Sequence, residues 1–356
     1  MKRKIKIGTR GSNLALWQAG WVQSALYKKD PLLSVEIEII KTKGDKILDV
    51  PLAMVGGKGL FVKEIEEALL DGRIDIAVHS MKDMPAEIPD GLCIGAIPKR
   101  EISQDVLISQ NGLSFSELVK GAGIGTSSLR RSAQLLHARP DIKILPLRGN
   151  LDTRLKKLES GDMDAIILAA AGVKRLGFEH KITEYLDDDI MLPAVGQGAL
   201  CIETREKDTY IAQVVACLDH YQTRRIVSGE RAFLNYLEGG CQIPIAAHGR
   251  IEPQKRAHSP LLAAGLASES KNSKLPYGRR FPAACGGELQ KNIFTITGLV
   301  ATVDGVTVIR DTMSGPEEDS EKVGIKLAET LLSMGAREIL EDLKNNFNNS
   351  ATDSHR

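Results

Sequence analysis

The sequence predicts an α/β fold in which two α/β lobes are joined by a double crossover and followed by a smaller C-terminal α+β unit with a three-stranded antiparallel sheet. Three observations carry that prediction. Strand and helix patterns alternate through the first hundred residues, and a second alternating series follows the polar turn Pro98-Lys99-Arg100-Glu101. Beyond about residue 220 the pattern changes to one helix, three separated strands and C-terminal helices. Alternation of the first kind builds βαβ units with parallel strands. The 356 residues also exceed the roughly 250–300 at which a single core stops growing, so two or three domains are expected.

In the first lobe, residues 4–8 read as a strand, 13–28 as an amphipathic helix, 35–41 as a strand, 60–70 as a helix and 74–78 as a strand. The last of these, Ile74-Asp75-Ile76-Ala77-Val78, is rich in β-branched and small apolar residues, as in a strand covered on both faces, and Pro85 and Pro89 stop regular structure beyond it. The second lobe reads as strand 106–109, strand 123–125, helix 128–138, strand 142–147, helix 151–160 and strand 165–169. The run Leu192-Pro193-Ala194-Val195-Gly196-Gln197-Gly198 then forms a Gly-rich crossing before another apolar strand, which would return to the first lobe's sheet. Two hinge segments result, near residues 99–105 and 190–200, and such hinges let one lobe move against the other around a ligand.

The third unit reads as helix 224–237, a break at Gly239-Gly240, strands 243–249, 293–301 and 306–311, and helices within 321–343. Residues 252–292, rich in Ser, Lys, Pro and Gly, are too many for an ordinary hairpin connection and read as a mobile insertion. The expected boundaries are 1–99 with 199–219 for the first lobe, 100–198 for the second, 220–346 for the third unit and 347–356 for an unordered tail.

Composition narrows the function classes. Aromatics are 4% and the net charge is +1, so neither base-stacking platforms nor general polyanion binding is expected, and nucleic acid is not an expected partner. The opening Met1-Lys2-Arg3-Lys4-Ile5-Lys6-Ile7 runs into strand-like alternation instead of a signal peptide, and no run of about 18 apolar residues appears. The expectation is a cytoplasmic protein without a membrane partner, and the balanced surface suits a monomer. The five cysteines (Cys93, Cys201, Cys217, Cys241 and Cys285) are odd in number and far apart, without CxxC pairs or zinc-like His spacing, so neither a disulfide framework nor a metal site is expected. Cys93, Cys201 and Cys217 lie in apolar runs and read as buried thiols, while Cys285 lies in the insertion.

The candidate chemistry gathers at strand ends. Lys82-Asp83, in His79-Ser80-Met81-Lys82-Asp83-Met84-Pro85, follows an apolar strand directly, where open α/β sheets place ligands. Alone, the pair suits a solvated surface better than a site. Arg10 lies at a strand-to-helix turn, Arg130 and Arg131 follow Gly125-Thr126-Ser127-Ser128, Arg148 closes another strand, Arg154 is one turn into the next helix, and Arg175 follows Ala169-Ala170-Ala171-Gly172. Helix starts attract anions and arginine forks suit carboxylates or phosphates, so this set points to a ligand bearing many such groups. Gly56-Gly57-Lys58-Gly59 lacks the phosphate-loop spacing and reads as a cationic flap. Cys241, after Gly239-Gly240, is an accessible turn thiol with no triad; nearby cations would favour its thiolate, and an incidental loop cysteine is the other reading.

Taken together, Arg10-Gly11-Ser12 with Leu14-Ala15-Leu16-Trp17-Gln18-Ala19, Gly56-Gly57-Lys58-Gly59-Leu60-Phe61, His79-Ser80-Met81-Lys82-Asp83, Thr126-Ser127-Ser128-Leu129-Arg130-Arg131, Leu147-Arg148-Gly149-Asn150 and the Cys241 loop closely resemble the porphobilinogen deaminase family, over about residues 3–250 and again from about 293. The resemblance implies condensation of four porphobilinogen molecules into linear hydroxymethylbilane, with ammonia released at each step. It implies one covalent dipyrromethane cofactor per chain, held by a thioether at Cys241, which would make the thiol an anchor. It implies Asp83 as the catalytic acid/base that helps expel the amino group, stabilises the cationic azafulvene and assists proton loss, for which partial burial would have to offset nearby cations. Implied cofactor contacts are Ser12, Lys58, Lys82, Asp83, Thr126, Ser128, Arg130, Arg131, Arg154 and Gln197; implied substrate contacts are Arg10, Arg148, Arg154 and Arg175. Among these residues Asp83 is expected to be the only carboxylate in the cleft.

Two departures stand out: Met54 occupies a position where the family often has a second flap lysine, and the insertion is longer than usual. The competing reading is a non-catalytic anion-binding protein, since the periplasmic-binding-protein-like design of two lobes and a double crossover serves that role as well. Such a protein needs the arginines but has no use for Asp83 or a thiol-bound pyrrole.

Overall fold

A computed structural model describes residues 4–46, 62–238, 243–254 and 292–353. In the first lobe, β1 (Lys4–Thr9) leads into α1 (Asn13–Lys29), β2 (Ser34–Ile39), the single turn α2 (Lys43–Lys46), α3 (Lys63–Leu70), β3 (Ile76–Ser80) and β4 (Leu92–Ala96). Ser12 caps α1 by accepting from the Ala15 N–H at 3.3 Å. The buried positions Ala15, Ala19, Val22 and Leu26 recur at helical spacing and face the sheet. The strand expected over 74–78 starts two residues later, and β4 is one the sequence pattern does not mark. It is only five residues long, contains Gly95, and lies between Pro89 and Pro98, all features of a turn-rich segment.

The second lobe comprises β5 (Asp105–Ser109), β6 (Gly123–Gly125), α4 (Leu129–Ala138), β7 (Lys143–Leu145), α5 (Leu151–Glu159), β8 (Ala165–Ala169), α6 (Ala170–Arg175) and β9 (Glu184–Tyr185). The chain then crosses back as β10 (Leu200–Arg205) and α7 (Thr209–Ala216). The strand orders are β2-β1-β3-β10-β4 and β7-β6-β8-β5-β9. In both sheets the first three strands are parallel, and the fourth, antiparallel to its neighbours, is the one arriving from the other lobe. The double crossover is therefore built into hydrogen-bonded sheet. Separate cores hold the lobes, one centred on Ile5, Ile7, Ile76, Val78 and Ile202 and another on Leu107, Ile124, Ala165 and Ile167, each fully buried large side chain stabilising by about 1.5–3 kcal/mol.

The second crossing packs against the first and against the turn after β3 through glycines that admit no side chain. Gly198 has φ +86° and a Cβ there would lie 2.5 Å from the Glu101 carbonyl oxygen; Gly196 has φ +69° and a Cβ would lie 2.5 Å from Met81 Cγ. Burial differs from expectation at Cys217, which is exposed at the end of α7, whereas Cys201 is buried and Cys93 half-buried. Its apolar neighbours face the core while it caps the helix at its outer end.

The third unit contains α8 (Tyr221–Tyr236), the antiparallel strands β11 (Ile245–Pro253), β12 (Asn292–Ala301) and β13 (Val308–Pro316), α9 (Ser320–Leu331) and α10 (Arg337–Asp353). β11 runs into the expected insertion as far as Pro253 and β12 starts at its last residue, so the strands claim its ends. Residues 255–291, with Cys285, lie outside the described ones. A five-residue kink with Gly335 at φ 107° separates α9 from α10. Helix rather than unordered chain continues to Asp353, because Ile339, Leu340 and Leu343 anchor α10 in the core and neither Pro nor Gly follows to stop it.

Buried Glu230 of α8 ties this unit to both crossings. It accepts from Arg100 Nη1 at 2.6 Å and Nη2 at 3.2 Å, from the Gly196 N–H at 2.7 Å and from the Gly249 N–H at 2.8 Å, while Arg100 Nε donates to the Gln197 carbonyl at 2.7 Å. Breaking a buried pair leaves an uncompensated charge. Glu230→Ala should therefore cost about 3–5 kcal/mol, measured by urea unfolding. A second buried group, Glu66 on α3, lies near the His79–Glu203 pair, whose Nε2 to Oε2 distance is 3.0 Å. Burial and the Glu203 carboxylate raise Glu66 from 4.5 to about 7. The native state thus holds this proton more tightly than the unfolded chain, and the stabilisation present below 4.5 is lost as pH rises through about 7. Glu66→Gln should flatten urea stability across that window and leave the variant more stable than the parent at pH 8.

Candidate functional site

Lys82 and Asp83 lie in a single 3₁₀ turn, Met81–Asp83, that follows β3 and is closed by the Met84 N–H donating to the Met81 carbonyl at 3.1 Å. Met81 and Met84 are buried and pin the turn from both ends; Lys82 is half-buried and Asp83 is exposed. Gln18 Nε2 of α1 donates to Ser80 Oγ at 2.8 Å, and Arg231 Nη2 of α8 donates to the Pro85 and Ala86 carbonyls at 2.9 and 2.8 Å. The turn is thus held by both the first lobe and the third unit. Asp83 itself is exposed, because its flanking methionines take the interior positions.

Neighbouring parallel strands bring the other candidates to the same sheet ends. Arg10 and Ser12 follow β1, which pairs with β3. In the second lobe Thr126 and Ser128 follow β6, Arg148 follows β7, and Arg175 ends the helix after β8. Thr126 Oγ1 accepts from the Ser128 N–H at 3.2 Å, and Ser128 occupies the N-cap of α4 without bonding to it through its side chain. Asn150 caps α5 by accepting from the Thr153 N–H at 2.9 Å, and Arg154 Nε donates to the Gly149 carbonyl at 2.9 Å.

Arg130 and Arg131 do not point out from the first turn of α4 into solvent. Both are buried against Asp105, the first residue of β5, with Arg130 Nη2 at 2.7 Å from Oδ2, and Arg131 Nη2 and Nε at 2.7 and 3.1 Å from Oδ1. Gln197 Nε2 donates to the same Oδ1 at 3.1 Å and to the Ser103 carbonyl at 2.6 Å. Burial alone would raise the Asp105 pKa, but Arg130, Arg131 and Lys82 outweigh it and bring it down to about 2. Asp83 is therefore not the only carboxylate in the site. Asp105 is the residue that sequence reasoning misses; its one signal is an acidic side chain opening an otherwise apolar strand.

The two lobes meet electrostatically. Burial, then Arg131, bring Lys82 down to about 8 against the pull of Asp83 and Asp105. Burial, then Arg131, bring Arg154 down to about 10, with Arg148 acting in the same direction and Asp83 opposing. The turn of the first lobe thus shares a field with Arg130, Arg131, Arg148 and Arg154 of the second. Arg175 has a different setting. Its Nη2 donates to the Gly198 carbonyl at 2.7 Å and its guanidinium lies 5.7 Å from the Trp17 ring centroid, so it bridges α6, a crossing and α1, and burial lowers it to about 10. Lys58, Met54 and Cys241 lie outside the described residues.

The donor set fits a ligand with several carboxylates and pyrrole N–H groups. Cations from both lobes supply the carboxylate partners. The Gln197 amide is oriented by its two donor contacts, which leaves its buried Oε1 without a partner and ready to accept an N–H.

Comparisons with known proteins agree with this chemistry. Residues 5–213 match the family model described as porphobilinogen deaminase, dipyromethane cofactor binding domain, and residues 225–274 match porphobilinogen deaminase, C-terminal domain. Curated porphobilinogen deaminases are similar over nearly the whole chain. That of Pelobacter propionicus is 49% identical over 96% of this chain and 97% of its own length, that of Syntrophotalea carbinolica 51% over 95% and 96%, and that of Carboxydothermus hydrogenoformans 49% over 98% and 100%. With cations gathered at its sheet ends and relatives of this closeness along almost its full length, the chain belongs to the porphobilinogen deaminase family and contains that family's dipyrromethane cofactor-binding domain.

Proposed function

We propose that this chain carries out the full deaminase reaction, condensing four porphobilinogen molecules head to tail on a dipyrromethane primer with loss of ammonia at each step. The observation that carries the assignment of roles is the shared field of the Lys82-Asp83 turn and the four second-lobe arginines. The domain boundaries that go with it are 1–99 with 199–219, 100–198 and 220–346, and the two five-stranded sheets and the three-stranded sheet support them. The protein acts in the cytoplasm as a monomer; among the described residues no helix is long and apolar enough to cross a membrane.

Cys241 would hold the primer by a thioether, and Ser12, Lys58, Lys82, Thr126, Ser128, Arg130, Arg131, Arg154 and Gln197 would contact it, with Arg10, Arg148, Arg154 and Arg175 taking substrate carboxylates. When bound there, the primer would supply a terminal pyrrole carbon as nucleophile. Lys82 and the arginines neutralise acetate and propionate groups as fixed charges, which orients the rings without reorganisation during the reaction. Asp83, in the field of Lys82 and Arg154, stabilises positive charge developing on the substrate ring as ammonia leaves, and takes the ring proton after the carbon–carbon bond forms. Arg130 and Arg131 also donate through Nη1 to the Leu192 and Ile167 carbonyls, so they would meet the ligand as a rigid pair, with the donors that these carbonyls and Asp105 leave.

Asp83→Asn should keep the primer and bind substrate while turnover falls by about 10²–10⁴-fold; ammonia release close to that of the parent would remove Asp83 from its role. Cys241→Ser should purify as a chain at its bare sequence mass in denaturing mass spectrometry, without the dipyrromethane increment carried by the parent. A normal increment in that variant would place the attachment elsewhere.

A further inference from the structure

Ser103, His248 and Asp188 come from the first crossing, β11 and the second crossing, and meet in an arrangement the deaminase chemistry leaves unused. His248 Nε2 lies 2.9 Å from Ser103 Oγ, and His248 Nδ1 lies 2.7 Å from Asp188 Oδ2. An ionised carboxylate can only accept, so Nδ1 carries a proton, and in the neutral imidazole Nε2 then presents its lone pair to the serine hydroxyl. Burial works against the charge on Asp188, but His248, Arg310 and Arg250 outweigh it and hold its pKa below the usual value. Nucleophile, base and orienting carboxylate stand in the order of a serine triad, an arrangement identified by geometry and not by sequence position.

The three residues line a cavity of about 420 Å³ together with Ile102, Gln104 and Asp187, a size within the range of small-ligand sites. Next to the hydroxyl, the backbone N–H groups of Ser103 and Gln104 make no hydrogen bond among the described residues. Turned toward the cavity, they would supply the donors a developing oxyanion needs. Ile102 gives the cavity an apolar wall and Asp187 an acidic, exposed rim, which favours neutral or cationic ligands over the carboxylate-rich pyrroles of the main cleft.

We propose that Ser103 is an activated nucleophile in a second site, which takes the acyl group of small neutral or cationic esters. Its Oγ bonds to the acyl carbon while its proton passes to His248 Nε2. The bond from that carbon to the alcohol oxygen breaks, and the alcohol leaves with the proton. A water deprotonated by the same nitrogen then cleaves the acyl-serine, releasing the acid and restoring the hydroxyl. The chemistry needs no metal and no redox partner.

The test uses the full-length holoenzyme, a fluorophosphonate probe with peptide mass spectrometry, p-nitrophenyl acetate as ester, and ammonia release from porphobilinogen measured on the same samples. The expected result is one adduct, on Ser103. Ser103→Ala, which removes the hydroxyl and keeps the backbone carbonyl, should abolish labelling and ester hydrolysis and leave ammonia release unchanged. His248→Gln, which keeps the hydroxyl, should slow labelling by about 10²–10⁴-fold. No adduct on Ser103 in the parent protein, or labelling indifferent to His248→Gln in a variant that still releases ammonia, would overturn the proposal and reduce the three residues to a hinge bridge. The parent adduct decides the matter even if a variant fails to fold.

Discussion

Two guanidinium groups can share a dry interior only if a carboxylate stands between them, and Asp105 meets that requirement for Arg130 and Arg131. Much else depends on this contact. It joins the start of α4 to the first residue of β5, and through Gln197 it fixes the second crossing against the first. It also sets the local field. Without Asp105 the burial of Arg130 would favour its neutral form more strongly, and Lys82 would lose one of the two carboxylates that keep its charge. The site gains cations that are already paired and positioned before a ligand arrives.

The third unit reaches that site from behind. Helix α8 places Glu230 on both crossings and Arg231 on the Pro85 and Ala86 carbonyls. Cys241 follows the same helix by five residues in sequence, after Tyr236. The turn proposed to be catalytic is therefore held by the helix that precedes Cys241 in the sequence. Motion of the second lobe relative to the first would change the distance between Asp83 and Arg154 while leaving that support unchanged.

Periodicity and turn chemistry make most of the fold legible in the sequence. The alternating elements, the returning strand and the kinked C-terminal helices all leave marks in residue patterns, and the strand-end rule brings Lys82-Asp83 and the arginines to one place. Three features leave no such mark. β4 is a short strand among prolines, stable because β10 pairs with it. Asp105 and Glu230 act through partners 19 to 130 residues distant, which no local pattern encodes. Arg175 reads like the other arginines, yet the packing of Trp17 and Gly198 gives it a bridging position.

The strand order also governs the sequence of events on the ribosome. The second-lobe sheet is contiguous in the chain, from β5 to β9, and can assemble as soon as it emerges. The first-lobe sheet cannot, because β4 bonds to it only through β10, which is made about a hundred residues later. Until then β3 and β4 present open, apolar edges of the kind that invites pairing between nascent chains. The earliest-made lobe thus closes only after every strand of the second has been made, and shielding of those edges during the wait bears on its yield in a cell.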